Sequence, residues 1–277
     1  MASRVWMITG SSAGFGREIA EAALRAGDLV VATARRPETL DDLVAGAPER
    51  VLATALDVTR PDQIEAAVAA ARGRFGRVDV LVNNAGHGSV GAVEEIDMGE
   101  LREVMDTMFF GAVELTKAVL PGMRDLGGGA IVQLSSMGGQ ISAAGFGAYC
   151  SSKWALEAMS AALAEEVAPF GIRVLIVEPG QFRTEFAGAR MQRSAEIPAY
   201  AQTVGPTREF IDGMGGTQPG DPRKAAEAIR SMLDSAETPL RLALGDDAVD
   251  AIRAEHSQRA ADLDGWEQIS RAMTFDA

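Results

Sequence analysis

Tyr149 and Lys153 stand four residues apart in a run that reads as the start of a helix, Tyr149-Cys150-Ser151-Ser152-Lys153. That spacing puts a phenol and an amine on one helix face, within reach of a common point. A free phenol titrates near 10, so a tyrosine that shuttles protons at neutral pH needs its value lowered, and a neighbouring ammonium lowers it. Only three lysines, Lys117, Lys153 and Lys224, occur among the 26 basic residues, and Tyr149 and Tyr200 are the only tyrosines. A chance pairing of two such scarce residues is improbable in a chain of this make-up.

A second chemical feature lies at the other end of the sequence. Thr9-Gly10-Ser11-Ser12-Ala13-Gly14-Phe15-Gly16-Arg17 follows a strand-like run and leads into a helical one. Glycines there let the chain turn sharply and let a ligand approach the backbone, and the helix start offers free N–H groups and a positive dipole end to a pyrophosphate. The spacing, with glycines at 10, 14 and 16, differs from the Gly-x-Gly-x-x-Gly of many dinucleotide folds. The end of the next strand reads Thr33-Ala34-Arg35-Arg36, where an acidic residue would accept hydrogen bonds from a ribose 2'-hydroxyl. Arginine at 35 or 36 suits a 2'-phosphate instead, so NADP(H) is expected over NAD(H).

The elements that must position these groups alternate short apolar, β-branched runs with Ala/Leu/Glu/Arg stretches, the pattern of βαβ units. Strands are expected at residues 5–9, 29–34, 51–56, 78–83, 130–134, 173–177 and 240–244. Helices are expected at 16–25, 61–72, 100–123, 149–167 and 222–234, with Thr59 and Asp221 placed to cap the two early-proline starts at Pro61 and Pro222. The fold class is therefore α/β: a doubly wound, Rossmann-type parallel sheet of about seven strands with helices on both faces, in a single domain. No repeat or linker divides the chain. Residues 1–245 form the dinucleotide-binding and catalytic part, with an irregular Gly-, Pro- and Met-rich segment, 182–220, expected as a substrate lid. Residues 246–277 are expected as a C-terminal extension of the same domain, made of two helices at 246–255 and 262–272, with Trp266 packed onto the body.

With these features in order, the sequence resembles the short-chain dehydrogenase/reductase family over roughly residues 5–245. The likeness is carried by Thr9 to Gly16, by Asn83-Asn84-Ala85-Gly86 after the fourth strand, and by Tyr149 and Lys153 preceded by a serine at the end of the fifth strand. The resemblance implies hydride transfer between a nicotinamide and a ketone or secondary alcohol, with Tyr149 as general acid or base. It also implies that Ser136, rather than Ser135, hydrogen-bonds the reacting oxygen and that Lys153 holds the nicotinamide ribose. Cofactor contacts are implied for Gly10, Ser12, Gly14, Phe15, Gly16, Asn84, Ala85 and Gly86, for Asp57 and Val58 beside the adenine, and for Pro179, Gly180 and Thr184 near the carboxamide, with Tyr149 and Lys153 completing the set.

One position departs from that pattern. Met108, in Asp106-Thr107-Met108-Phe109-Phe110-Gly111, stands where such proteins usually carry an asparagine that holds a water feeding protons to the lysine. A thioether accepts hydrogen bonds only weakly. Asparagine at 108 is expected to raise turnover if the relay is deficient. A catalytically weak NADP(H)-binding sensor is the alternative reading, which the intact Ser136, Tyr149 and Lys153 disfavour.

Composition narrows the partners. A net charge of −13 repels polyphosphate backbones and anionic membrane surfaces, so neither nucleic acid nor a membrane is expected. No run is apolar enough to cross a bilayer. The start of the chain, Met1-Ala2-Ser3-Arg4 leading directly into a strand, lacks the pattern of an export signal, and the single Cys150, expected as a buried packing residue, suits a reducing compartment; a cytoplasmic protein is expected. His87 and His256 are the only histidines and sit in no ligand-spaced cluster, so no metal is expected; His87, in a glycine-rich loop, is placed to touch substrate, with ordinary solvation the favoured expectation. Phe186, Met191, Tyr200, Phe210 and Met214 in the lid, with Met137 and Phe146, suggest an apolar pocket for a bulky carbonyl or alcohol substrate. The resemblance implies a homo-oligomer, dimer or tetramer, through the fourth and fifth long helices.

Overall fold

The alternation of apolar runs and amphipathic stretches builds one seven-stranded parallel sheet. A computed structural model describes residues 3–188 and 191–275; the first two residues of the chain start, two lid residues and the last two of the extension lie outside the described residues. Strands β1 (Val5–Ile8), β2 (Leu29–Ala34), β3 (Val51–Ala55), β4 (Val80–Asn83), β6 (Gly129–Leu134), β7 (Ile172–Pro179) and β9 (Arg241–Leu244) lie in the order β3-β2-β1-β4-β6-β7-β9. A separate two-stranded sheet pairs β5 (Ser89–Val90) with β8 (Gln192–Arg193).

The helices are α1 (Gly14–Arg25), α2 (Asp41–Gly46), α3 (Pro61–Phe75), α4 (Met98–Met105), α5 (Gly111–Leu126), α6 (Gly147–Val167), α7 (Gly205–Gly213), α8 (Pro222–Asp234) and α9 (Asp246–Arg271). Successive strand residues face opposite sides of the sheet. Trp6 and Ile8 of β1 therefore pack with Ile19 of α1 and Ile229 of α8, whereas Val5 and Met7 pack with Ile64 of α3 and Leu115 of α5. Both faces are covered, which is why the strands read as continuous apolar runs.

Strand order reverses between β1 and β4, each followed by a motif singled out in the sequence. A parallel sheet binds ligands outside the carboxyl ends of its strands at such a switch point. The loops after β1, β2, β4, β6 and β7 all open onto that edge.

Four expectations are corrected. The helix expected over 100–123 is α4 and α5 joined by a π-helical turn at Asp106–Phe110, so Met108 sits on a widened backbone turn. Asp221 caps α8 through its side chain, but α3 begins from Arg60 without a side-chain cap, and the Thr59 hydroxyl donates to Asp57 instead. The two terminal helices are one: Gly265 is absorbed because the pairs Arg259–Glu255, Gln258–Asp262 and Arg271–Glu267, each one helical turn apart, support the helix on both sides of it. Trp266 does not pack onto the body and is 65% exposed, since α9 leaves the body after its first turns. No helix among the described residues is long and apolar enough to cross a membrane.

Candidate active site

The loop after β1 is latched to the loop after β4. The Thr9 hydroxyl accepts from the backbone N–H groups of Asn84 (2.9 Å) and Ala85 (2.8 Å), and the Asn84 amide donates to the carbonyls of Thr9 (2.8 Å) and Gly10 (3.3 Å). Asn84 thus reaches the site largely as a brace for the glycine loop. At Gly16 a Cβ would fall 2.4 Å from the Gly10 oxygen and 2.5 Å from the Asn84 amide nitrogen, so any side chain would push α1 off the loop. Ala13, ahead of α1, supplies no capping side chain, which leaves the first N–H groups of that helix for a ligand.

These features line one end of a cleft of about 1080 Å³. Its walls include Gly10, Ser12, Gly14, Phe15, Arg35, Arg36, Asp57 and Val58, and further along Ala85, Gly86, Pro179, Gly180 and Thr184. Of the catalytic and cofactor-contact residues named from the sequence, only Gly16 is off the wall, and it sits beneath it. The exposed Arg35 and Arg36 form no ion pair among the described residues, whereas Arg17 nearby is committed to Asp42 and Glu21. A helix start without a cap, a glycine cradle and two free guanidinium groups at the end of β2 fit the pyrophosphate and 2'-phosphate of a dinucleotide. Thr184 crosses over to lie 3.5 Å from where a Gly14 Cβ would be, and Phe15 meets Phe182 at 5.1 Å, closing the loop after β7 over this end.

At the other end Ser136, Tyr149 and Lys153 come together. The Ser136 hydroxyl accepts from Gly138 N–H at 3.0 Å and is hydrogen-bonded to Tyr149. Ser135 turns the opposite way and donates to Glu157 at 2.7 Å, a physical reason for preferring Ser136. The Lys153 ammonium donates to the Leu134 carbonyl at 2.7 Å and lies 5.8 Å from the centre of the Tyr149 ring.

The electrostatics reverse one expectation. Withdrawal of the hydroxyl from water pushes the Tyr149 phenol up to about 12, with the Ser136 hydrogen bond acting in the other direction. Burial also brings the Lys153 ammonium down to about 8, against the pull of Glu157. Loss of water outweighs the pull of the ammonium on the phenol, since the lysine's head is turned to a carbonyl. The protein's own groups hold Tyr149 as a neutral phenol, ready to donate.

Around the phenol the walls are apolar. Phe186 of the lid meets its ring at 5.2 Å and Phe146 at 6.3 Å. Met108 is 2% exposed, packs with Val104, Ala148 and Tyr149, and would touch a Cβ on Gly86 at 3.1 Å. An amide placed there would enter apolar packing on the cleft wall. Phe210, Met214 and Met137 line the cleft as expected from the sequence. Met191 does not: it is buried behind the wall with Val90 and Ile211. Tyr200 lies on the surface, its hydroxyl donating to Glu94. Cys150 is buried.

His87 is half-buried on the cleft wall. With Nδ1 donating to the Gly88 carbonyl at 3.2 Å, its Nε2 is buried without a partner among the described residues, as are Oε1 of Gln192 and of Gln218. All three residues line the cleft. No local pattern marks Gln192 or Gln218 in the sequence; they arrive there only through the fold of the lid.

Comparison with known proteins agrees with this geometry. The family model described as short chain dehydrogenase matches residues 4–195. A short-chain dehydrogenase from Streptomyces avermitilis superposes with a TM-score of 0.95 at 54% identity, covering 99% of this chain and 100% of that one. Oxidoreductase BOA17 of Botryotinia fuckeliana is 43% identical, over 98% of this chain and 99% of its own. The 3-ketodihydrosphingosine reductase of Bacteroides thetaiotaomicron is 36% identical over 88% and 89%. The chain belongs to the short-chain dehydrogenase family of oxidoreductases.

Proposed function

We propose that this chain is an NADP(H)-dependent oxidoreductase that moves hydride between the nicotinamide and a ketone or secondary alcohol, with Tyr149 as the general acid in reduction and the base in oxidation. The observation that carries the reading is a neutral, half-buried phenol, hydrogen-bonded to Ser136, at the floor of a cleft whose far end is the glycine loop and Arg35.

The bound cofactor supplies the hydride donor or acceptor. The chain's own groups do the rest. First-turn N–H groups of α1 and the Gly10–Gly16 loop hold the pyrophosphate, and Arg35 with Arg36 receives the 2'-phosphate. Ser136 donates to the substrate oxygen and stabilises its growing negative charge, while Tyr149 passes it a proton. Lys153, held on the Leu134 carbonyl, supplies the positive charge that favours the phenolate left behind.

Phe146, Phe186, Phe210 and Met214 give the substrate end an apolar wall, to which His87, Gln192 and Gln218 add a few polar side chains. This suits a bulky, largely apolar carbonyl compound. The Bacteroides relative, named as a reductase of 3-ketodihydrosphingosine, supports a substrate of that kind.

A panel of ketones and alcohols, followed by nicotinamide absorbance with both cofactors, tests the reading. Turnover of bulky apolar ketones with NADPH is expected. Cofactor binding without turnover of any member would replace the enzyme with a dinucleotide sensor.

A further inference from the structure

Lys153 is the middle of three. Glu157 follows it by four residues, as Lys153 follows Tyr149, so phenol, ammonium and carboxylate stack along one stripe of α6. Lys153 is 6% and Glu157 3% exposed, an ion pair's worth of charge withdrawn from water in one layer. The lysine's hydrogen bond goes to a neutral carbonyl, that of Leu134. Among the groups around it, Glu157 is the one whose charge favours the ammonium.

Glu157 is firmly held. Its Oε1 accepts from the Ser135 hydroxyl at 2.7 Å and its Oε2 from Arg241 Nε at 3.0 Å and from the Gln140 amide. A Cβ on Gly139 would lie 2.3 Å from Glu157 Oε1, so the loop between Ser136 and Tyr149 is folded directly onto this carboxylate. Beside it is a second buried carboxyl, Glu178 at the end of β7, which accepts from the same Gln140 amide at 2.9 Å, hydrogen-bonds Glu157, and lies 3.6 Å from Arg241. Two carboxyls in contact away from water cannot both carry charge cheaply, and burial with the neighbouring Glu157 pushes Glu178 up to about 7.

The groups facing this pair are few. α6 contributes Lys153, β9 contributes Arg241, and the loop after β6 contributes Ser135 and Gln140. From α9, His256 Nε2 lies 3.2 Å from Gln140 Oε1 and Arg259 donates to the Gln140 carbonyl at 3.1 Å. Arg241, 38% exposed at its side chain, is where the cluster meets solvent.

We propose that Glu157 is a positioning residue of the proton-transfer site: its carboxylate is the counter-charge that keeps Lys153 an ammonium, and Glu178 is the proton-bearing partner through which solution pH reaches it. This builds on the Tyr149 and Lys153 roles proposed above. Where Met108 replaces the usual asparagine, the lysine's charge is set from below the helix, by Glu157. Without that carboxylate, a buried amine held by one carbonyl would lose its proton at neutral pH and cease to favour the phenolate.

The full-length protein, free of cofactor and labelled with carbon-13 at lysine Cε, tests this by NMR titration, since only three signals are expected. Lys117→Arg and Lys224→Arg, both at the surface, assign them. Lys153 is expected to titrate near pH 8, with a smaller inflection near pH 7 as Glu178 ionises. In Glu157→Gln the Lys153 midpoint should fall by about 1–3 pH units, and Glu157→Asp should hold it near the wild-type value. In Glu178→Gln the inflection near pH 7 should vanish.

An unmoved Lys153 midpoint in folded Glu157→Gln overturns the proposal, even if turnover is lost. If Glu157→Gln does not fold, wild type and Glu178→Gln decide: a single inflection, the same in both, overturns it. Because the readout is the lysine's own titration, its failure is separable from failure of the Tyr149 role, which is judged by turnover.

Discussion

The ring of Phe186 stands edge-on to that of Tyr149, with centroids 5.2 Å apart and planes at 67°. A lid residue and the proposed proton donor thus share one apolar contact, and the lid helps to strip water from the phenol. Removing it should hydrate the phenol and loosen the substrate end together. An edge-to-face pair is worth about 0.5–1.5 kcal/mol beyond its buried area, so Phe186→Ala is expected to lower kcat/KM by about two- to tenfold or more. Phe186→Leu should recover part of the loss. Steady-state kinetics on both variants with one bulky ketone checks this.

Tyr149→Phe keeps the ring and its contacts with Phe146 and Phe186 but removes the proton. Turnover should fall by about 10²–10⁴-fold, while cofactor binding, followed by fluorescence, is retained. The wild-type reduction rate should decline as pH rises through about 8, where the Lys153 ammonium is lost. A variant that keeps most of its turnover would remove Tyr149 from the chemistry.

Arg35 is exposed and forms no ion pair among the described residues, so a charge reversal there disturbs little but the ligand. A charge-assisted hydrogen bond contributes about 1.5–3 kcal/mol, and Arg35→Asp should therefore shift the NADPH-to-NADH preference by about tenfold to a hundredfold or more toward NADH. An unchanged ratio of kcat/KM values for the two cofactors would relocate the selectivity.

Glu178 makes stability depend on pH in an unusual direction. Its carboxyl is raised from the ordinary 4.5 to about 7, so between those values the folded chain holds a proton that the unfolded chain has released. The stabilisation is full below the ordinary value and is lost as pH rises through 7. Thermal midpoints should fall between about pH 5 and pH 8 on this account, and Glu178→Gln should flatten that slope.

Met108→Asn would bury an amide against Gly86, Val104 and Ala148. An unpaired polar group in such surroundings costs about 1–3 kcal/mol, so its melting point should drop, whereas Met108→Leu should leave it nearly in place. Melts of the two variants distinguish packing from any effect on turnover.

Local signals carried the seven-stranded sheet and named the residues that meet in the cleft. Apolar runs with helix-length spacers specify a parallel sheet because both faces are covered, and Tyr149 with Lys153 is a one-turn relationship that survives in any helix. What stayed hidden depends on parts of the chain that meet only after folding. The Glu157–Glu178 contact joins a helix to a strand end 21 residues later, and Glu157 alone resembles any surface glutamate. Its distance of four from Lys153 was the available clue. The π-helical turn at Asp106–Phe110 left no mark in the hydrophobic pattern. Tyr200 and Met191 share the composition of true wall residues, and only the path of the lid sends one to the surface and the other behind the wall.

From Ala260 onward every described residue is exposed, so the last turns of α9, past the Arg259 bond to the Gln140 carbonyl, bury almost nothing and stand on pairs one turn apart such as Arg271–Glu267. Such a segment frays without disturbing the rest. Its amide protons should exchange with deuterium in a regime of their own, orders of magnitude ahead of those in the central strands, and a protease should trim it while the sheet remains intact.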